Sequence, residues 1–456
     1  MSATHLAGII LTAMIASPPD NPAEIIPADP LPLLTLTAIP PSTPPLPNER
    51  PDSLPNIDPR LDIPRLIRPD PGHPSETPAP DQKKPESGYD PNYLYIPERN
   101  PGLRQPPCPC LPLGRWWVDA EYFLGITQND SVPALATLGG SPLGGTPGNN
   151  TTPVIGQLLG NERLNHPFRS GIRVSAGLWL DRCQNWGIEG SFFDVSSDQS
   201  VIGEASNGSP VLSRPYFVQP GGIPANAPLA LPGQSTGSIV VTSPLSFLGA
   251  DANLRHNLIC EDNWRLDFLG GYRYLRMSES LTIDARTQDI AGPESGLSQE
   301  KVDSFHTVNF FNGLQIGLAG EYRWDRIYFS GFAKTAFGMD WHWLDVSGWT
   351  RTQAPGSAPV SNVGGFLTGP SNIGHFNGAR FAVVPETNLT LGYQLTDHWR
   401  AYMSYTFIYI NSIARPGQAI DTSIGATSAN VVHPIHLDTN TDFWMQGINF
   451  GLQARY

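Results

Sequence analysis

Between Trp116 and Tyr456 the sequence carries ten stretches in which apolar and polar residues alternate at a period of two. Successive side chains of a strand point to opposite faces, so each stretch reads as a ribbon with one apolar face. The first, 116–126, sets Val118, Ala120, Tyr122 and Leu124 against Asp119 and Glu121. The second, 170–180, sets Ile172, Val174 and Leu178 against Arg173. The third, from Trp186, sets Ile188 and Phe192 against Glu189. The fourth, ending near Leu258, sets Leu248, Ala252 and Leu254 against Asp251 and Arg255. The fifth sets Trp264, Leu266, Phe268 and Tyr272 against Arg265, Asp267 and Arg273. The sixth, ending at Trp324, sets Leu314, Ile316 and Leu318 against Glu321 and Arg323. The seventh sets Ile327 and Phe329 against Lys334. The eighth sets Phe381, Val383, Leu389 and Leu391 against Arg380 and Glu386. The ninth sets Trp399, Met403 and Phe407 against Arg400, and the tenth, 443–456, sets Ile448, Phe450 and Leu452 against Gln453 and Arg455.

No Asp, Glu, Lys or Arg falls on the apolar parity of these stretches. Lipid enforces that rule strictly, since Lys or Arg at the bilayer midplane costs about 2–4 kcal/mol. A soluble β-sandwich also alternates, but turns its apolar face inward and needs no even strand count. The expected fold is therefore all-β: an antiparallel transmembrane β-barrel of about ten strands. The connections agree. Short ones at 181–185, 260–263, 324–326 and 396–398 alternate with long Gly-, Pro-, Ser- and Asn-rich loops near 127–169, 196–246, 277–306, 340–376 and 411–442. Hairpins within 127–169 and 196–246 would raise the count to twelve or more. Bacterial outer-membrane barrels have short periplasmic turns and longer extracellular loops. Both ends of the barrel domain are then expected in the periplasm. Trp116, Trp186, Trp264, Trp324 and Trp399, joined by Tyr456, fall at the short-turn end of the apolar parity, where an interfacial aromatic girdle belongs.

The chain of 456 residues has a formal net charge of −13, which argues against nucleic acid as a partner. No apolar run reaches the ~18 residues of a transmembrane helix. Leu6–Ala16 has the length of a signal-peptide core, although no Lys or Arg precedes it, so residues 1–16 are expected to be a signal peptide. Of 47 prolines, 28 lie between Ser17 and Pro112. Proline removes the ladder donor and breaks helices. Residues 17–112 thus read as a largely disordered periplasmic tether, with a periplasmic or cell-wall partner as its expected use, and 113–456 as the barrel. Four cysteines, Cys108, Cys110, Cys183 and Cys260, all fall at the expected periplasmic face. An even count in an oxidising compartment favours disulfides, with three connectivities open. Free thiols and a zinc site are the competing readings, and Cys-Pro-Cys lacks the usual zinc-ligand spacing.

Several segments carry a family resemblance. They include 181–193 (DRCQNWGIEGSFF), 249–255 (GADANLR), 265–274 (RLDFLGGYRY), 380–386 (RFAVVPE), 391–398 (LGYQLTDH) and 441–452 (TDFWMQGINFGL). In order and content the region 115–456 resembles the β-barrel porin-7 family of the bacterial outer membrane, of planctomycete type. The resemblance implies fold and location, with outer-membrane lipid as the surrounding partner, and implies little about substrate.

The inward parity gathers Asp119, Glu121, Glu189, Asp251, Asp267, Glu321 and Glu386 with Arg173, Arg255, Arg265, Arg273, Arg323, Lys334, Arg380, Arg400 and Arg455. Buried charges must be paired or hydrated. They are the expected pore lining or interior charge network. Two functions fit: a narrow porin for small polar solutes, or a structural or adhesive anchor with a filled, non-conducting barrel. Eight strands leave an interior just filled by side chains, and ten lie near that end. No nucleotide loop or nucleophile elbow is present, so neither enzymatic activity nor a cofactor is expected. His433, His436 and Asp438 have no zinc-motif spacing.

Overall fold

The alternating stretches become strands, and the strands close on themselves. In the computed structural model the described residues are 114–139, 157–159, 168–195, 200–426, 432–436 and 440–456. The expected signal peptide and tether, with Cys108 and Cys110, lie outside them. Ten strands form the ring: β1 (Trp116–Thr127), β4 (Arg169–Trp179), β5 (Trp186–Val195), β10 (Leu245–Cys260), β11 (Trp264–Asp289), β12 (Ser298–Trp324), β13 (Ile327–Gln353), β15 (Gly374–Gln394), β16 (Trp399–Ile413) and β19 (Thr441–Arg455). Each pairs antiparallel with its neighbour in chain order, and β1 with β19 closes the circle. That last seam is in register from Trp117 opposite Arg455 to Thr127 opposite Met445. The backbone of Trp116 and Tyr456 exchanges hydrogen bonds of 2.9 and 3.0 Å at its end. A closed ring leaves no sheet edge at that seam, which is what a wall in lipid requires.

The remaining strands belong to the long connections: β2 (Ala136–Leu138), β3 (Gln157–Leu159), β6 (Ser200–Ser206), β7 (Leu212–Gln219), β8 (Ile223–Ala230), β9 (Ser235–Ser243), β14 (Val360–Val363), β17 (Ser423–Ala426) and β18 (Val432–His433). The expected loops 127–169 and 196–246 therefore do hold strands, but none enters the ring. Instead β2, β3, β7, β8, β17 and β18 assemble a second, smaller sheet from three separate connections.

Two expected loops are corrected. Most of 277–306 and a large part of 340–376 are strand: β11, β12 and β13 run 26, 27 and 27 residues. A barrel strand needs only about 9–11 residues to cross the bilayer. The alternation continues past the membrane but changes sign. In the lower part of β11 the outward side chains are apolar (Phe268, Tyr272) and the inward ones charged (Asp267, Arg273). Above Tyr274 the inward Leu275, Met277, Leu281 and Ile283 are buried, while Ser278, Ser280, Thr282 and Asp284 face out. Outside lipid the outer face meets water, so the apolar parity moves inside.

Candidate functional site

Register stacks the barrel interior into layers. The layer at the short-turn end is ionic. Glu321 accepts from Arg323 Nε at 2.6 Å, Arg400 Nη1 at 3.1 Å and Arg455 Nη2 at 3.0 Å. Asp267 accepts from Arg265 Nε at 2.8 Å and Arg255 Nε at 2.7 Å, and Arg255 also reaches Glu189 at 2.9 Å. One step higher, Glu386 accepts from Arg173 Nη2 at 2.7 Å and Arg273 Nη1 at 2.5 Å, with Lys334 Nζ at 3.8 Å. Lys334 donates to Asp251 at 3.1 Å, and Ser191 donates to the same carboxylate at 2.8 Å. Asp119 accepts from Gln453 at 2.6 Å and Glu121 from Tyr402 at 3.0 Å. Opposite signs thus satisfy one another across strands far apart in sequence. A cavity of about 170 Å³ remains among these groups, bordered by Glu121, Arg173, Asp251 and Lys334. Arg380 sits higher in the wall, opposite Asp340.

Above the ions the lumen turns apolar. Phe123, Phe193, Phe247, Leu275, Met277, Phe311, Ile410 and Phe443 form one buried cluster, with Val384 and Ile408 among them. Phe247 meets Phe193 and Phe443 edge-on at centroid distances of 5.2 and 5.3 Å. None of these phenylalanines was singled out from the sequence. The available signal was local: doublets such as Phe192-Phe193 and Phe310-Phe311 break the alternation, as residues buried from both faces do.

A second polar group sits over the apolar layer. Arg415, in the connection after β16, donates to Glu279 through Nε at 2.8 Å and Nη2 at 2.7 Å. It also donates to the carbonyls of Gln128 and Asn129, each at 3.2 Å. Asn309 of β12 exchanges two 2.8 Å hydrogen bonds with the Ala414 backbone, and Gly417 N–H donates to Asp130 at 2.6 Å. The connection is thereby latched across the mouth of the ring. Above it, Leu135, Leu212, Ile239, Leu281, Ile283, Phe305 and Ile420 make a second apolar core, drawn from the long connections and the protruding strands.

Burial pushes the Asp130 carboxyl up to about 6, against the pull of Arg415. A carboxyl whose folded value exceeds its unfolded one stabilises fully below the unfolded value, near 4, and loses that contribution as pH rises through 6. The stability of wild-type protein should therefore fall between pH 4 and 6 relative to Asp130→Asn. Urea midpoints across that range check this; parallel curves for the two proteins would refute it.

Trp116, Trp186, Trp324, Trp399 and Tyr456 are exposed on the outer surface, and Trp264 is partly exposed. Trp116 and His398 both stack on Tyr456, at 4.8 and 4.5 Å. Cys183 and Cys260 are each disulfide-bonded. Among the described residues no group of three or more His, Cys, Asp or Glu is placed to hold a metal. His433 instead bonds Asp421 at 2.7 Å, His436 stacks on Phe376 at 3.8 Å, and Asp438 lies outside the described residues.

The family model described as "Putative beta barrel porin-7" matches residues 117–456. No curated protein matches the chain. Among solved structures, the outer membrane protease OmpT from Escherichia coli is similar at 11% identity and a TM-score of 0.37, over 75% of this chain and 97% of that one. A Pseudomonas aeruginosa FadL homologue follows at 8% and 0.22, over 75% and 90%. The P. putida toluene transporter TodX gives 9% and 0.18, over the same shares. Likeness at these scores carries no argument about activity.

Proposed function

This chain belongs to the beta barrel porin-7 family, a family of outer-membrane barrels, and from that premise we propose that it is a sealed barrel whose work is done by what it anchors. The observation that carries this reading is the apolar layer. Phe247, Phe311, Phe443 and Ile408 are at most 1% exposed and, with their neighbours, fill the lumen between two charged levels. A hydrated ion crossing it would lose its water without a polar partner, a cost of several kcal/mol per charge at least. The protruding strands and the second sheet then form a folded outer body. In this reading the short turns face the periplasm, and residues 17–112 serve as a periplasmic tether. The interior charges hold the wall together and do no catalysis.

Planar-bilayer recording on protein shown to be folded by heat-modifiable gel migration tests this. Wild-type protein should be silent. Steady single-channel steps in wild-type protein would overturn the sealed barrel. They would instead favour a narrow porin for small polar solutes, a reading supported by the charge-lined cavity of about 170 Å³.

A further inference from the structure

The wall contains a split. The β15–β16 ladder stops at Glu386 opposite Ile408. Both strands continue beyond it: β15 stays paired with β13 up to Gly374, and β16 with β19 up to Ile413. Among the described residues no strand pairs the second edge of Gly374–Pro385. The outward parity of β15 is apolar from Tyr393 to Phe381 apart from Thr387 and becomes polar at Asn377 and His375, so the ladder parts within the apolar band. Open edges are not tolerated in lipid unless their polar groups are satisfied. Here Pro385 has no N–H, and Val383 N–H donates to Asn411 Oδ1 at 2.7 Å. Ala382, Val384, Ile408 and Ile410, all buried, complete the closure with side chains instead of a ladder.

Next to the split lies a cavity of about 290 Å³, bordered by His342, Leu344, Phe376, Gly378 and Arg380 of the wall and His436 of the last long connection. The His342 imidazole lies over Gly378, where an added Cβ would come within 2.6 Å of Nε2. Its Nδ1 is 3.5 Å from the Asp340 carboxylate, within ion-pair range, and Arg380 stands opposite Asp340 in the ladder. His342 and Arg380 thus bring hydrogen-bonding groups to the cavity wall. Polar groups inside, an apolar seam that side chains close without a ladder, and an outward Phe381 that is 58% exposed make an amphipathic site.

We propose that the β15–β16 split is a side port. It admits a membrane lipid from the leaflet on the long-loop side where the side chains of the seam part, with the chain beside Phe381 and the hydrogen-bonding head toward His342. The occupant is a lipid because the seam lies in the apolar band, below the level at which the strand's outer face becomes polar.

The test uses full-length protein in phosphatidylcholine nanodiscs, with a bimane label on Phe376→Cys. Phosphatidylcholine brominated high on its chains should quench this label several-fold more than a label on Arg351→Cys, which lies far up β13. Cross-linking Val384→Cys to Ile410→Cys should abolish the difference by clamping the seam. Equal quenching at both positions, or quenching of the cavity label by aqueous iodide alone, would overturn the port. Should Phe376→Cys fail to fold, Leu344→Cys reports on the same cavity. Bilayer silence and lipid quenching are separate readouts, so the sealed-barrel reading and this one can fail independently.

Discussion

Glu386→Ala should destabilise the barrel by about 3–5 kcal/mol, the range expected when one member of a buried ion cluster is removed. The carboxylate holds Arg173 at 2.7 Å and Arg273 at 2.5 Å, and Lys334 stands at 3.8 Å. Arg273 and Glu386 side chains are each 1% exposed. Without Glu386, three cations from β4, β11 and β13 lose the acid they share, while Lys334 keeps its ion pair with Asp251. Glu386→Gln keeps shape and part of the hydrogen bonding, and should fall between. The urea midpoint of the heat-modifiable form measures both. An alanine variant that matches wild type would show that water, not Glu386, neutralises these cations.

Arg415→Ala should release the connection that crosses the mouth. It removes two bonds to Glu279 and two to carbonyls, and leaves the buried Glu279 without its cation. The same mechanism gives about 3–5 kcal/mol. That corresponds to at least a hundredfold faster amide exchange over Ala414–Ala419. Amides of the membrane-crossing part of β12 should keep their protection, because their ladders do not involve Arg415. As a control, Arg286→Ala removes two exposed pairs, to Asp284 and Glu300, with Arg286 61% exposed, and should change stability by at most about 1 kcal/mol. If exchange rises equally throughout β12, the latch is not a local device, and the mouth and wall unfold together.

The ring was legible because lipid imposes a rule on single residues. Outward positions in the apolar band, such as Val118, Leu266 and Phe450, are uncharged, while inward positions carry Asp, Glu, Lys or Arg. A period of two with that asymmetry gives strand count and facing at once. The same rule misled above the membrane. Ser278, Ser280 and Thr282 read as loop because the expected outward parity had become polar, although Leu281 and Ile283 kept the period on the other face. The latch was invisible for a different reason. Arg415 is one arginine in a Gly- and Pro-containing connection, and Glu279 lies 136 positions away. Nothing local distinguishes it from a solvated side chain.

The sequence by itself determined the kind of wall this protein builds, since facing in a strand is a property of residue parity and the bilayer penalises each error separately. Whether the wall encloses an opening was decided only in three dimensions. Phe123, Phe247, Phe311 and Phe443 come from four strands and meet only once the ring closes. The split beside β15 likewise exists only as a mismatch between two registers, one ending at Glu386 and the other continuing to Gly374. Filling and splitting depend on how strands meet, and that information is spread over separations no local pattern records.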